Sequence, residues 1–197
     1  MGNSSKTVFL FSGQGSQYQG MGKELCDAYP EIKSMYDEAS EILGFDLADK
    51  SWNAPEEELA QTVISQPAIM MTSLAALECM KKNSIEFSAV AGHSLGEYAA
   101  MVASGVLSFK DGFKVIKARA AAMQKAAENQ HGVMCAVMGQ TPEDIEKICS
   151  SVDGYVTPVN YNSAVQTVIA GEPEAVDAAI AKFAEIGAKT IKLKVSA

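Results

Sequence analysis

The chain has 197 residues, of which 48 % are apolar and 20 % are charged, and its formal net charge is −8. This length allows one large domain, or one domain with a small second one, around a sizeable core. The negative charge argues against nonspecific binding to nucleic acids or anionic membranes. The apolar stretches are short and interrupted, so we expect no transmembrane helix. Four scattered cysteines without a CxxC pair indicate free thiols in a reducing cytosol.

Strand and helix signals alternate through the first 128 residues. The first elements predicted there are a strand over 7–11, helices over 32–43 and 67–82, and a buried strand over 87–91. Two further helices follow, one beginning just after Gly92 and the other over 111–127. The apolar stripe of the helix after Gly92 consists of Leu95, Tyr98, Ala99, Val102 and Val106. Pro67 is expected in the first turn of its helix. Alternating strands and helices imply an α/β fold with a parallel sheet covered by helices.

The pattern changes near residue 128. A strand over 133–138 is followed by a helix with Thr141 as its N-cap, two strands over 155–161 and 166–170, a helix over 173–186 ended by Gly187, and a strand over 189–195. This β-α-β-β-α-β order is typical of a ferredoxin-like α+β unit. We therefore predict one domain over 1–128 and a ferredoxin-like subdomain over 129–197.

The segment Gly92-His93-Ser94-Leu95-Gly96 lies between the predicted buried strand and a helix, which is the context of a nucleophile elbow. The sharp turn would expose the Ser94 hydroxyl at a helix N-terminus, where the helix dipole favours an oxyanion. Alternatively, Ser94 and Glu97 form the S-x-x-E pattern of a capping box, with no chemistry. Capping gives no reason for glycine at both 92 and 96, so the pattern favours a nucleophile.

Two further features could assist such a nucleophile. Two glycines flank Gln14 in the loop after the first strand, and they would let a backbone N–H approach a ligand, although an ordinary glycine-rich turn fits as well. Tyr18 replaces the third glycine of a dinucleotide fingerprint, and no phosphate-binding Gly-Lys-Ser/Thr follows. Arg119 lies on a lysine-containing helix, where a solvated face is the default and a carboxylate clamp is the alternative.

Several motifs in order resemble the malonyl-CoA:acyl carrier protein transacylase family, whose relatives include the acyltransferase domains of fatty-acid and polyketide synthases. The matching stretches are Phe-Ser-Gly-Gln-Gly-Ser-Gln at 11–17, Gln-Pro-Ala at 66–68, Gly-His-Ser-Leu-Gly-Glu-Tyr-Ala-Ala at 92–100, the helix of Arg119, Gly-Val-Met-Cys-Ala-Val at 132–137, and Val-Asn-Tyr-Asn-Ser-Ala-Val-Gln-Thr-Val-Ile-Ala-Gly at 159–171.

The resemblance implies a ping-pong transfer of malonyl from coenzyme A, through a Ser94 ester, to the phosphopantetheine thiol of acyl carrier protein in cytoplasmic fatty-acid biosynthesis. Backbone N–H groups of Gln14 and Leu95 would form the oxyanion hole, and Arg119 would bind the malonyl carboxylate. Gln66 and His93 would also contribute to substrate binding. The resemblance implies no permanently bound cofactor and no metal, and its fold is an α/β-hydrolase-like core with the ferredoxin-like insert.

The family's catalytic base is a histidine that follows the strand ending here at Ala197, and a glutamine that orients it comes later still. Neither is in the chain, so we expect a C-terminally truncated, incomplete core with weak activity or none. His93 is expected to point away from the elbow. This leaves His131, in a linker predicted near residues 128–132, as the remaining candidate for the base.

Three alternatives remain open from the residues. A serine esterase or thioesterase shares the elbow, and a patatin-like hydrolase would pair the serine with Asp111 or Asp153, although turn and cap roles suit both aspartates. A noncatalytic interaction fragment is the third. Acyl carrier proteins are acidic, so docking one would need a basic patch. The candidates are Lys110, Lys114 and Lys117, or Lys189, Lys192 and Lys194, with solvated faces as the default for both.

Overall fold

The protein is described by a computed structural model that covers residues 6–129 and 132–193. The chain divides into two compact units, Met1–Gln124 and Lys125–Ala197. The elements are, in chain order, β1 (Val8–Phe11), α1 (Lys23–Ala28), α2 (Pro30–Leu43), α3 (Leu47–Trp52), α4 (Glu56–Leu59), α5 (Thr62–Lys82), β2 (Ala89–Gly92), α6 (Gly96–Ala103), α7 (Phe109–Asn129), β3 (Val133–Met138), α8 (Pro142–Cys149), β4 (Val156–Ser163), β5 (Gln166–Gly171), α9 (Pro173–Glu185) and β6 (Lys189–Lys192).

Helix α5 is the central helix of the first unit. Its buried residues extend from Ile64 to Leu77, because α1, α2, α3 and α6 all pack against it. This helix has 21 residues, and an 18-residue window within it has a mean hydropathy of 1.3. Its length and composition would therefore suit a membrane-spanning helix, which the sequence had not led us to expect. However, 61 % of the apolar window is buried inside the protein. Helix α5 is therefore a core helix of this unit.

The predicted start of this helix is wrong. Helix α5 begins at Thr62, and Pro67 lies inside it rather than in its first turn. Proline lacks the N–H that would bond to the Val63 carbonyl, which normally disfavours an interior position. Here Pro67 is buried in the core, together with its neighbours Gln66 and Ala68. Tertiary packing therefore sustains a helix that local propensity would break.

Helix α2 confirms its predicted apolar stripe. Ile32, Tyr36 and Ala39 are at most 1 % exposed, and the left-handed Gly44 ends the helix. The three short helices α1, α3 and α4 were not predicted, because six residues or fewer are too few to show a helical period. Helix α3 does carry a local signal, since the Asp46 side chain accepts a hydrogen bond from the Asp49 N–H.

Strands β1 and β2 form a two-stranded parallel sheet in register, with Phe11 opposite Gly92. A strand lies near its predicted place, over Ala89–Gly92, but the prediction that it is buried is wrong, because β2 is mostly exposed. Leu10 of β1 is likewise 78 % exposed. Helix α6 packs against both strands, but the described residues add no third strand to this sheet. Helix α6 also ends at Ala103, so Val106 is not part of its stripe and is 71 % exposed.

The second unit has the β-α-β-β-α-β order that the sequence predicts. Its four strands form an antiparallel sheet in the order β4-β5-β3-β6, and α8 and α9 pack against it. The core includes Ile145, Ile169 and Phe183, none of which is exposed. The predicted N-cap is confirmed, because Thr141 Oγ1 accepts a hydrogen bond from the Asp144 N–H. Strand β6 is described to Lys192, and the rest of the predicted strand includes residues outside the described ones.

Candidate active site

The segment after β2 makes a sharp turn at Ser94. The His93 N–H donates to the Phe11 carbonyl at 3.0 Å, which ties the turn to the end of β1. Ser94 has a φ of 54°, in the left-handed region that residues other than glycine rarely occupy. Leu95 is the N-cap residue of α6. Backbone strain at a serine between a strand and a helix is the geometry predicted for a nucleophile elbow.

The glycines on either side of Ser94 are required by close backbone contacts. A Cβ on Gly92 would lie 2.1 Å from the Gly96 backbone, and a Cβ on Gly96 would lie 2.2 Å from the Phe11 carbonyl oxygen. The strand, the turn and the helix therefore approach each other more closely than any side chain allows. The capping-box alternative is wrong, because α6 has no side-chain cap hydrogen bond and Ser94 offers only its carbonyl to the Glu97 N–H.

The loop of Gln14 begins at the same edge of the sheet, because β1 and β2 are parallel and in register. Ser16 Oγ donates to the Gly13 carbonyl at 2.8 Å, which closes the loop on itself. A Cβ on Gly13 would lie 2.7 Å from Nδ1 of His93, so the loop packs directly against the elbow and the imidazole lies beside Gly13. The structure thus brings Gln14 and Ser94 onto neighbouring turns.

Arg119, on α7, is half-buried and reaches Ser94, the predicted nucleophile. Its Nη2 donates to Ser94 Oγ at 2.9 Å, and its Nη1 donates to Gln66 Oε1 at 2.6 Å. The guanidinium carbon lies 5.6 Å from the centre of the Tyr98 ring, within the range of a cation–π contact. The default prediction of a solvated arginine is therefore wrong, because hydrogen bonds on both sides hold the guanidinium at the elbow.

Gln66 connects Arg119 to the loop of Gln14. It is completely buried, and its Nε2 lies 3.3 Å from Gln14 Oε1 and 3.2 Å from Met123 Sδ. Gln14 Nε2 in turn lies 3.3 Å from Thr62 Oγ1. Polar side chains thus form a continuous chain from the start of α5 to the Ser94 hydroxyl.

Thr62, Tyr98 and Met123 were not predicted as site residues. Thr62 lies one helical turn before Gln66 on α5, and Met123 lies one turn after Arg119 on α7, so both face the site. Tyr98 lies on α6, and its ring contacts the Arg119 guanidinium. The i, i+4 relation is the signal that could have found Thr62 and Met123. It becomes informative only when the predicted residue is known to face the site.

The other candidate residues of the sequence either have structural roles or lie outside the residues that the structure describes. Asp111 accepts hydrogen bonds from Ser108 and Lys114, which lower the pKa of its carboxyl and place it at the start of α7. Asp153 lies at an exposed turn. His131 and Lys194 are outside the described residues.

Three lysines of the predicted patches have local partners. Lys114 pairs with Asp111, Lys117 Nζ donates to the Ile42 carbonyl, and Lys192 pairs with Asp177. Across residues 6–129 and 132–193, no group of three histidine, cysteine or acidic side chains could hold a metal ion.

The assembled groups suit chemistry on an anionic acyl compound. A serine hydroxyl lies at a helix N-terminus, where backbone N–H groups and the helix dipole favour negative charge. Beside it stands a guanidinium, which remains charged at any physiological pH and donates up to five hydrogen bonds without accepting any. Arg119 can therefore bind a carboxylate but cannot remove a proton from Ser94.

Comparison with known proteins agrees with this arrangement. The family described as acyl transferase domain matches residues 8–197. The chain is 41 % identical over 196 residues to the malonyl CoA-acyl carrier protein transacylase of Bacillus subtilis strain 168, an alignment that covers 98 % of this chain and 62 % of that protein. It is 40 % identical over 185 residues to the Escherichia coli K12 protein of the same name, covering 92 % of this chain and 60 % of that one.

Solved structures agree as well. The malonyl CoA-acyl carrier protein transacylase of Clostridium perfringens ATCC 13124 superposes with a TM-score of 0.91 at 42 % identity, over 98 % of this chain and 62 % of that one. A complex of a type II polyketide synthase acyl-carrier protein with its malonyl-transacylase gives a TM-score of 0.91 at 40 % identity, over 98 % of this chain and 63 % of that one. This chain thus spans about three-fifths of the length of these relatives. The chain has a mixed α/β fold and belongs to the acyl transferase domain family.

Proposed function

We propose that the chain is the part of a malonyl-CoA:acyl carrier protein transacylase that carries the nucleophile. The observation that carries this proposal is the 2.9 Å hydrogen bond from Arg119 Nη2 to the hydroxyl of Ser94, a residue held in a strained turn. A fixed cation beside a strained serine is suited to an acyl group that bears its own carboxylate. The names of the relatives support malonyl as that group.

The transfer takes place in two balanced steps. Ser94 Oγ attacks the thioester carbonyl of malonyl-CoA while a base takes the serine proton, the carbon–sulfur bond breaks, and the base gives that proton to the sulfur, so that coenzyme A leaves as its thiol. The base then takes the proton of the phosphopantetheine thiol of acyl carrier protein as this thiol attacks the ester carbonyl. The ester carbon–oxygen bond breaks, a new thioester forms, and the base gives the thiol proton to the Ser94 oxygen. The coenzyme A thioester is a substrate, so no resident cofactor is required by this chemistry.

Backbone N–H groups of Gln14 and Leu95 would stabilise the oxyanion of each tetrahedral intermediate. Leu95 directly follows the nucleophile at the N-terminus of α6, and the Gln14 loop packs against the same turn. Loss of one such donor typically costs about 10²- to 10³-fold in rate. His93 would line the substrate side of the elbow, where it is exposed.

The malonyl carboxylate would bind to the Arg119 guanidinium. A planar guanidinium can hold both oxygens of a carboxylate at once, and a charge-assisted pair of this kind is worth about twice a neutral hydrogen bond. Arg119 Nη2, which contacts Ser94 Oγ, lies where such a carboxylate would place the acyl carbonyl near the nucleophile.

Full-rate transfer also needs a general base. Arg119 cannot serve, and His93, the histidine among the described residues, has its Nδ1 beside Gly13. We therefore propose that neither residue is the base. His131, the other histidine of the chain, lies outside the described residues, and we propose that it does not serve as the base either, so that this chain acylates slowly.

The proposal also includes the domains of the chain, its partner and its cellular compartment. We assign residues 1–128 to the N-terminal part of an α/β-hydrolase-like core and residues 129–197 to a ferredoxin-like subdomain, which the parallel β1–β2 pair and the β4-β5-β3-β6 sheet support. Acyl carrier protein is the proposed partner because a relative is seen in complex with one. Four free cysteines suit a reducing cytoplasm, where fatty-acid biosynthesis would use this activity.

The test is transfer of malonyl from malonyl-CoA to holo acyl carrier protein, followed by the intact mass of the carrier. We expect malonyl on the carrier with the unmodified chain and none with Ser94→Ala. Slow acylation of Ser94 could arise from the lack of a base or from the lack of a binding site. The variant Ser94→Cys distinguishes these two causes, because a thiol needs less help from a base to attack a thioester. Rapid acylation of Ser94→Cys at its mutated position, with slow acylation of Ser94, supports the proposal. Hydrolysis of malonyl-CoA that is unaffected by the carrier would instead favour an esterase.

A further inference from the structure

Gln66 is a polar side chain in the apolar interior of α5. It is completely buried, whereas Ser94 is exposed. A buried amide is stable only when its donor and acceptor atoms have partners, and here both do. Because no part of Gln66 faces solvent, direct contact with a substrate does not account for it.

The orientation of the Gln66 amide is fixed by its neighbours. Arg119 can only donate, so it must face the carbonyl oxygen Oε1, which it does at 2.6 Å. The NH₂ group is then directed toward Gln14 Oε1 and Met123 Sδ. The same constraint orients the Gln14 amide, whose NH₂ group faces Thr62 Oγ1. Hydrogen bonds therefore run in one direction, from Arg119 through Gln66 and Gln14 to Thr62.

A neutral side chain at this position leaves the positive charge of Arg119 uncompensated and available to a substrate. A glutamate of the same shape would pair with the guanidinium and compete with the carboxylate of a substrate. An apolar side chain would leave Arg119 Nη1 without its acceptor and free to rotate away from the elbow. Glutamine supplies an acceptor without supplying a charge.

We propose that Gln66 is a positioning residue that acts through two others. It holds Nη1 of Arg119 so that the guanidinium faces Ser94, and it links the guanidinium to the loop that carries the Gln14 backbone N–H. The group that binds the carboxylate and the group that stabilises the oxyanion are thereby held at a fixed position relative to each other. This inference rests on the function proposed above, and it replaces the substrate-binding role that resemblance implies for Gln66.

The test measures binding in the 197-residue chain carrying Ser94→Ala, so that no covalent step occurs. Affinities for malonyl-CoA and acetyl-CoA are determined by calorimetry, and their ratio reports carboxylate recognition alone. Gln66→Glu is expected to lower the malonyl preference by about tenfold or more, and Gln66→Met by about threefold to tenfold, while acetyl-CoA affinity changes by less than about twofold. Ser65→Ala, at an adjacent and equally buried position, is the matched control and leaves the ratio unchanged.

The outcomes separate the two proposals. If the parent chain with Gln66 binds both thioesters equally, or binds neither, the proposed function itself fails. If the parent prefers malonyl-CoA and the Gln66 variants keep that preference, the positioning role is overturned. Equal loss of both affinities also overturns it, because this indicates general damage to the fold. Gln66→Met carries no buried charge and supplies the result if Gln66→Glu does not fold, as judged by circular dichroism.

Discussion

The two units of the chain differ in how completely their sheets are covered. In the second unit, four antiparallel strands and two helices enclose a core in which Ile169 and Phe183 have no exposed surface. In the first unit, two parallel strands leave Leu10 78 % exposed and Val8 50 % exposed, although α6 packs against them. All the described residues of the proposed site lie in this less enclosed unit. An apolar strand sequence therefore predicts burial only when enough neighbouring elements are present.

The largest expected effect is a difference in the free energy of unfolding between two variants, one in each unit. Phe183→Ala should lower the free energy of unfolding of the second unit by about 3–5 kcal/mol, because it opens a cavity in a closed core. Leu10→Ala, on β1, should change the stability of the first unit by less than about 0.5 kcal/mol, because the side chain is already in contact with solvent. Urea denaturation of both variants checks this. A loss of several kcal/mol in Leu10→Ala would show that β1 is covered in solution.

The next effect tests the packing of the elbow within the first unit. Gly92→Ala should cost about 3 kcal/mol or more, because its Cβ would meet backbone atoms of Gly96 at 2.1 Å and backbone cannot move aside easily. Gly105→Ala is the control, since its φ is 79° but no atom lies within 4 Å of the added Cβ. It should cost about 1 kcal/mol from backbone strain alone. Equal costs at the two positions would contradict the close contact between β2 and α6.

A smaller effect compares cations in the two units. Arg119→Ala should slow formation of the malonyl ester on Ser94 by about thirtyfold, which corresponds to about 2 kcal/mol for a charged hydrogen-bonding partner. Lys182→Ala removes a cation of the second unit that donates to Ser151, and it should leave the rate unchanged. Mass spectrometry at timed intervals gives both rates. Equal slowing by the two variants would mean that net charge, rather than the guanidinium at the elbow, controls the reaction.

The smallest effect concerns the buried thiols of the second unit. Burial raises the pKa of Cys149 from 9.0 to about 11, so the folded protein keeps this thiol protonated at a pH where the unfolded chain ionises it. The stabilisation is complete below pH 9 and is lost as the pH rises toward 11. Between pH 8 and pH 10 the loss should be about 1 kcal/mol. Cys149→Ala should remove this part of the pH dependence in urea titrations, and an unchanged slope would contradict the burial of the thiol.

The second unit was largely predictable from sequence because its signals are local. Thr141 and Gly187 mark helix ends, and β3 begins and ends at its predicted residues, since polar turns separate short runs of apolar residues. In the first unit, the start of α5 was predicted too late, at Pro67, because tertiary packing keeps the helix intact at a residue that normally disfavours a helix interior. Three short helices have no period long enough to detect.

The sequence singled out residues that the structure brings together around Ser94, but it did not predict the hydrogen bonds that connect them. The glycines around Ser94 indicated the elbow, because only a close backbone approach requires both of them. That Gln66 is buried between Arg119 and Gln14 depends on side chains from three segments distant in sequence. No periodicity within one segment contains that information.

The central claim is that Ser94 accepts a malonyl group at a site selective for its carboxylate. The most direct measurement is the intact mass and peptide map of the chain after prolonged incubation with malonyl-CoA, with acetyl-CoA and Ser94→Ala as controls. We predict one malonyl ester, located on Ser94, absent from Ser94→Ala and formed more slowly from acetyl-CoA. No ester on Ser94, or an equal amount of adduct in Ser94→Ala, would contradict the account.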